Sequence, residues 1–326
     1  MTLPALRIAL SVLLFAALLP AQVSFKKGDG SIQIQIAGKP FSTFYYGPSA
    51  PKPYLHPLRA ADGTVVTRGY PMEEIAGESR DHPHHRGLWY THGDVNGYDF
   101  WMNEPGQHPK NGGSITLKGT PSAESGRIQA SFEWKTPGGG LLLAENRTMT
   151  FSGDAKTRVI DFDVTFTAGA EKVKFADTKE GTFAIRLATP LEEPHKGAEG
   201  VARTGKMVAT EGRMGESQVW GKTSPWVDYS GSIDGKPVGI AILDHPKNPK
   251  HPTFWHSRSY GLFAANPFGE HDFFNDPARD GGIAIDPGKA IRFRYRVIIH
   301  EGDTQTAGIA DLYQKYAQHA TASLSN

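Results

Sequence analysis

The chain has 326 residues, 35 basic and 34 acidic side chains, a formal net charge of +1 and no cysteine. This charge balance does not favour nucleic acid or an anionic membrane as the main partner. The lack of cysteine excludes disulfides, thiolate metal ligands and a thiol nucleophile. The 37 glycines and 23 prolines are typical of a turn-rich β protein.

Residues 1–21 are predicted to form a secretory signal peptide. Arg7 is followed by an apolar run over residues 8–19 and then by Pro20 and Ala21, which is the order of regions in such signals. The run is short for a membrane span, which needs about 20 apolar residues. We therefore expect a secreted or periplasmic protein whose mature chain has no membrane span.

Alternation of apolar and polar residues predicts β-strands along residues 22–326. The pattern is clearest at residues 160–166 and 291–297, where every second residue is apolar. Shorter strands are predicted at residues 31–37, 127–135, 141–151, 182–188, 237–243 and 259–265. Glycine-rich and Asp-Gly turns separate them, and no composition break marks a second domain. The pattern predicts one all-β domain over residues 22–326, built as a sandwich of antiparallel sheets.

One helix is predicted near the end of the chain. Ile309, Leu312, Tyr313 and Tyr316 follow the spacing of one helix face, and Asp303 is a candidate cap. The apolar face is expected to pack on the last sheet.

Residues 81–104 concentrate side chains that suit catalysis, and we interpret them as the floor of an active site. Imidazoles titrate near neutrality, carboxylates transfer protons and indole rings stack on flat ligands. His84 and His85 are candidate proton donors, and Asp94 is a candidate base. The candidate substrate-binding side chains of this segment are Arg86, Trp101, Asn103 and Glu104.

A metal site is an alternative use of the same segment. His84, His92 and Asp94 could supply nitrogen and oxygen ligands to a divalent metal such as zinc, copper, iron or manganese. Their spacing matches no standard metal-binding signature.

Two later segments add candidates. Glu180 precedes Gly181 at the start of a predicted strand, where it could act as a general base. Residues 244–272 carry four more histidines and two aromatic clusters, as expected of a binding loop on a β scaffold. The candidate substrate-binding residues there are Trp255, His256, Arg258 and Asn266.

The motif at residues 82–101, together with residues 179–186 and 260–269, resembles the PmoA-like family of secreted bacterial proteins. The resemblance implies a β-supersandwich similar to galactose mutarotase, in which a concave sheet lined by His, Arg, aromatic and carboxylate side chains binds the ligand. Mutarotase-type enzymes use a His acid and a Glu base, but the motif of this chain does not match theirs.

Three functional hypotheses follow. The first is a secreted carbohydrate-active enzyme that cleaves or isomerises a glycoside or modified sugar by His/carboxylate chemistry, as a hydrolase, lyase or epimerase, with or without a divalent metal. The second is a non-catalytic glycan-binding protein. The third is a metal oxidoreductase with histidine ligands.

Overall fold

The computed structural model describes residues 22–104, 106–107, 110–195 and 200–322. Numbered in chain order, the strands of these residues are β1 (Val23–Gly28), β2 (Ser31–Ile36), β3 (Lys39–Tyr45), β4 (Tyr54–His56), β5 (Leu88–His92), β6 (Ser114–Glu124), β7 (Arg127–Lys135), β8 (Leu141–Gly153), β9 (Thr157–Ala168), β10 (Val173–Phe175), β11 (Gly181–Arg186), β12 (Lys206–Ala209), β13 (Trp226–Ile233), β14 (Lys236–Asp244), β15 (Trp255–Ser257), β16 (Leu262–Ala265), β17 (Ile283–Ile285) and β18 (Ala290–Glu301). The α-helices in the same residues are α1 (Glu216–Val219), α2 (Glu270–Phe273) and α3 (Ile309–Ala322).

Most of the strands form two antiparallel eight-stranded sheets. The first sheet has the order β1-β2-β3-β4-β5-β11-β16-β15, and the second has the order β12-β13-β14-β18-β9-β8-β7-β6. Strands β10 and β17 form a separate pair. The predicted all-β antiparallel sandwich with a C-terminal helix is confirmed. The predicted signal peptide lies outside the described residues, and the single-domain assignment stays a prediction.

The two sheets pack face to face through aromatic rings. Phe183 on β11 stacks on Tyr295 of β18, with ring centroids 4.5 Å apart and planes at 6°. Tyr90 on β5 lies parallel to Phe162 on β9, with centroids 6.3 Å apart. All four side chains are almost fully buried, and burying one ring contributes on the order of 2–3 kcal/mol. These contacts determine which face of β5 and β11 points into the core.

The two clearest predicted strands lie inside β9 and β18, which pair with each other. Their apolar residues face the core, while the alternating polar residues form ion pairs on the other face. Arg296 Nε, for example, lies 2.6 Å from a carboxylate oxygen of Asp161. The alternation pattern therefore predicted both the strands and their buried face correctly.

Glycines impose turns where two strands begin. Strand β5 starts at Leu88, directly after Gly87, which adopts φ +52°. The strand predicted at residues 259–265 begins at Leu262. Gly261 has φ +83° and donates a hydrogen bond back to the Arg258 carbonyl, which closes a turn there.

Helix α3 packs its apolar face on the outer side of the second sheet, as predicted. Ile309, Tyr313 and Tyr316 lie in one buried cluster with residues of β13, β14 and β18. Asp303 does not cap this helix: its carboxylate accepts a hydrogen bond from the Thr306 amide in the preceding turn. Among the helices of the described residues, none is long and apolar enough to cross a membrane.

Gly87 is expected to be essential for folding. A Cβ built on it would lie 2.1 Å from the Leu55 carbonyl oxygen, in addition to the strain of its positive φ. Gly87→Ala should lower the free energy of unfolding by about 3 kcal/mol or more, measured by urea denaturation. Gly97→Ala is the control, because Gly97 has φ +82° but open space around its Cβ position; it should cost about 1 kcal/mol. Equal losses in the two variants would contradict a steric role for Gly87.

Candidate functional site

One row of side chains crosses the outer face of the first sheet. In strand order from β4 to β15, the paired residues are Tyr54, Trp89, Ala184, Ala264 and His256. Neighbours along the strands, such as Tyr90 and Phe183, point into the core instead. The two alanines in the middle of the row leave room for side chains from the loops above.

Rings from both histidine-rich segments form a ring stack on this row, made up of His82, His85, Trp89, Trp101 and Tyr260. His82 lies parallel to Tyr260 and to His85, with ring centroids 5.5 Å and 4.8 Å apart. His85 in turn stacks on Trp89, with centroids 5.3 Å apart. The predicted Trp101 packs on Trp89 at 5.2 Å. The segments before β5 and before β16 therefore meet over the outer face of the sheet.

Two buried arginines share one carboxylate beside the ring stack. Arg186 on β11 donates to Asp81 at 3.0 Å and to His85 Nδ1 at 3.1 Å. Arg68 donates to the same oxygen of Asp81. The side chains of both arginines are 0% exposed, whereas the Asp81 side chain reaches solvent. The ring of Tyr260 lies 4.8 Å from the Arg186 guanidinium.

A second buried ion-pair group lies near β4. Glu104 accepts two hydrogen bonds from Arg86, at 2.8 Å and 2.7 Å, and lies 3.7 Å from Lys52 Nζ. Lys52 also donates to the Asn103 side chain at 3.0 Å. Burial lowers the pKa of Lys52 to about 8, against the raising effect of Glu104. The predicted binding residues Arg86 and Glu104 thus hold each other, while Asn103 binds Lys52 and the Pro51 carbonyl.

Burial keeps the predicted histidine donors neutral. The pKa of His84 falls to about 3, mainly through burial and also through the charge of Lys52. The pKa of His85 lies well below the usual range because it is fully buried, with further lowering by Arg186. A neutral imidazole can donate an N–H hydrogen bond, but at pH 7 neither ring carries the extra proton that an imidazolium acid would transfer.

Glu180 is a predicted catalytic group whose pKa is shifted towards neutral pH. Its side chain is 37% exposed and lies at the rim of the ring stack, at the start of β11. Desolvation by its neighbours raises its pKa, and the positive charges of Lys179 and His82 oppose that rise. A carboxyl group with a raised pKa exchanges its proton nearer to neutral pH, as acid–base catalysis requires.

His256 and Arg258 complete the rim on the β15 side. His256 Nδ1 lies 2.6 Å from the Lys179 carbonyl oxygen, and burial lowers the pKa of His256 to about 4. Arg258 Nε lies 2.8 Å from Glu216. Its guanidinium lies 5.8 Å from the Trp220 ring.

Two predicted binding residues, Trp255 and Asn266, have structural roles instead. Trp255 is 0% exposed, belongs to the main core and donates from Nε1 to the Ser224 carbonyl. Trp255 is therefore not placed to bind a substrate as predicted, because alternation along β15 turns Trp255 inward and His256 outward. Asn266 is also fully buried, and its amide binds the carbonyl oxygens of Thr178 and Lys179. It holds the loop that carries Glu180.

The three predicted metal ligands lie in different parts of the structure and each makes different contacts. His92 is buried against Phe268, and its Nε2 lies 2.8 Å from the Ala176 carbonyl. Asp94, also predicted as a base, accepts a hydrogen bond from the Gly97 amide and closes a turn. His84 contacts Gln107 on the outer face. In the described ranges, no three or more His, Asp or Glu side chains are arranged to hold a metal ion.

Several residues of the site were not among the predicted ones. Lys52, Arg68 and Arg186 are buried cations, and His82 and Tyr260 extend the ring stack. Tyr260 and His82 lie in the two histidine-rich segments, so proximity in sequence could have identified them. Arg68 and Lys52 are not part of any recognisable sequence motif, so they could be placed at the site only from the folded structure.

A sequence profile of a family of unknown function, DUF6807, matches residues 31–314, so the chain belongs to that family. The PmoA-like resemblance is not confirmed by this match. No curated protein matches the chain.

Three solved structures illustrate the fold similarity. An α-galactosidase from Lactobacillus brevis is 12% identical with TM-score 0.36, over 87% of this chain and only 40% of that one. A galactose mutarotase-like protein from Clostridium acetobutylicum is 10% identical with TM-score 0.41, over 86% of this chain and 99% of that one. A putative aldose 1-epimerase from Escherichia coli K12 is 10% identical with TM-score 0.30, with the same coverage. Similarity at this level supports no inference about activity.

The group around Glu104 yields a stability prediction. Glu104→Gln should leave Arg86 and Lys52 buried without a counter-charge and cost about 3–5 kcal/mol of unfolding free energy. The control is Glu74→Gln, which removes an exposed pair with Arg80 and should cost less than about 1 kcal/mol. Urea denaturation of both variants measures the difference. A loss for Glu104→Gln as small as that of the control would contradict the stabilising role of the buried group.

Acid should destabilise the protein through its buried histidines. Burial lowers the pKa values of five rings to about 3 or 4: His56, His84, His92, His245 and His256. Because the unfolded chain binds these protons near pH 6.5 and the folded chain does not, stability is complete above that pH and falls as pH decreases towards 4. Each ring should cost on the order of 1–2 kcal/mol between pH 7 and pH 5.

The measurement is the urea midpoint as a function of pH. His56→Leu should reduce the slope below pH 6.5, since neither ring nitrogen of His56 has a hydrogen-bond partner among the described residues. A midpoint independent of pH between 7 and 5 would contradict neutral burial of these rings.

Proposed function

We propose that the protein is a secreted carbohydrate-active enzyme that acts on a glycoside or modified sugar at the outer face of the first sheet. The observation that carries the proposal is the position of Glu180, a carboxyl group with a raised pKa, at the rim of a ring stack with buried cations. Aromatic rings, arginines and a titrating carboxyl group are the components with which proteins bind sugars and transfer protons at them.

In this proposal Glu180 transfers the proton. The pKa of Glu180 is raised towards neutral pH, whereas the pKa of His84 is lowered to about 3. His84 and His85 act as neutral hydrogen-bonding groups, not as imidazolium acids. Hydrolysis, β-elimination and epimerisation all need such a proton-transfer group, so the proposal is compatible with each of these reactions.

The rim residues orient the substrate. Tyr260 and Trp220 have ring surface that is only partly buried, and Arg258 lies between them in reach of both rings. This arrangement offers an apolar ring face and a cationic donor side by side, as a sugar ring with its hydroxyl groups requires. No step of the proposal involves a metal.

Glu180→Gln tests the proposal. On a glycan panel that includes neutral and acidic oligosaccharides, the unmodified protein should turn over at least one substrate, and Glu180→Gln should lower kcat about 10²- to 10⁴-fold. The limb of the pH–rate profile governed by Glu180 should lie above the pKa of an ordinary glutamate and disappear in the variant.

Glu171→Gln is the matched control, since Glu171 is exposed in the turn after β9, and its kcat should be unchanged. Sugar binding that persists in the unmodified protein without any turnover would favour a glycan-binding protein. Undiminished turnover in Glu180→Gln would reject the assigned role of Glu180.

A further inference from the structure

Three N–H donors without partners lie in one cluster of rings on the outer face of the first sheet. They are Trp89 Nε1, Trp101 Nε1 and His85 Nε2, and each is buried with no hydrogen-bond partner among the described residues. The three ring centroids form a triangle with sides of 5.2, 5.3 and 5.7 Å. A buried donor left unpaired costs about 1–3 kcal/mol, so three in one cluster indicate a missing acceptor.

The proton position on His85 follows from its contact with Arg186. A guanidinium group only donates hydrogen bonds, so His85 Nδ1, which lies 3.1 Å from Arg186 Nη1, must be the acceptor. The neutral ring then carries its proton on Nε2. The indole nitrogens of Trp89 and Trp101 are donors only. All three groups therefore offer a hydrogen to a ligand and can accept none.

Charged groups surround this cluster. The ion pairs beside it join five cations to only three carboxylates, Asp81, Glu104 and Glu192; the cations are Lys52, Arg68, Arg86, Arg186 and Arg203. Glu78 and Asp99 act on Arg68 and Lys52 as further negative charges, but they form no ion pair with them. These cations and carboxylates already pair with one another, so the unpaired groups of the cluster are the three N–H donors, and a ligand group with several acceptor lone pairs and no donor would match them.

We propose that His85, Trp89 and Trp101 form a cradle for the carboxylate of an acidic sugar, and that Arg186 positions His85 by fixing its tautomer. The inference rests on the proposed function, because it assigns the substrate class of the same site. A carboxylate has about four acceptor positions and no donor, which is enough for three N–H groups. A hydroxymethyl group at the same place would bring a donor of its own.

Two pairs of matched sugars test the inference by ¹H–¹⁵N NMR of the full chain. Methyl β-D-glucuronide is compared with methyl β-D-glucoside, and methyl α-D-galacturonide with methyl α-D-galactoside. Within each pair only the carboxylate is replaced by CH₂OH. In at least one pair the uronide should bind at least ten times more tightly and shift the indole N–H signals of Trp89 and Trp101. The indole signal of Trp255 is the internal control, since that N–H already donates to Ser224.

Variants separate the cradle from the fold. Trp101→Phe keeps a ring but removes one donor, and should reduce the preference for the uronide about five-fold or more. Trp255→Phe should leave the preference unchanged. Arg186→Met should change the ¹⁵N shifts of the two His85 nitrogens, because the tautomer is no longer fixed, while Arg186→Lys should retain the Nε2–H form.

The outcomes distinguish this inference from the proposed function. Equal affinity for the acidic and neutral members of both pairs would overturn the carboxylate cradle and leave the carbohydrate proposal standing. Binding of none of the four sugars, together with no turnover on the glycan panel, would overturn both. A proton on Nδ1 of His85 in the unmodified protein would overturn the positioning role of Arg186.

Discussion

The site depends on the burial of both faces of the central strands of the first sheet. Every residue of β5 and β11 is buried, although an antiparallel sheet commonly leaves one face to water. The inner face packs on the second sheet. The outer face must therefore be covered by loops, among them those that precede β5 and β16, which carry Arg68, His82, His85, Arg258 and Tyr260.

This double burial explains the electrostatics of the site. Charged groups under the loops lose their contacts with water, so they remain charged only when they have partners of opposite charge. For this reason Arg68 and Arg186 share Asp81, and Lys52 and Arg86 share Glu104. Imidazoles without a carboxylate partner remain neutral. Glu180 lies where the covering loops end, so it is desolvated enough to have a raised pKa and still accessible to a ligand.

The sequence predicted the fold class because strand alternation is a local signal. The strands at β9 and β18 alternate apolar and charged residues, and their buried faces were assigned correctly. Strand β5, which is buried on both faces, shows no such alternation of apolar and polar residues. The turn at Gly87 depends on the approach of the Leu55 carbonyl, more than thirty residues earlier, and no local pattern records it.

Part of the candidate site could also be predicted from local features of the sequence. The two histidine-rich segments could be recognised by composition, and they meet at His82 and Tyr260. Composition could not tell that Trp255 faces the core or that Arg68 and Lys52 reach the site, since strand direction and long-range packing decide both.

A crystal structure of the protein with methyl β-D-glucuronide or methyl α-D-galacturonide tests the account most directly. We expect the sugar over the outer face of the first sheet, with its carboxylate oxygens within hydrogen-bond distance of Trp89 Nε1, Trp101 Nε1 and His85 Nε2. A cavity of about 770 Å³, lined by residues such as Ser230 and His300, lies on the outer side of the second sheet. Sugar bound in that cavity, with ordered water or nothing at the three N–H groups, would contradict the account.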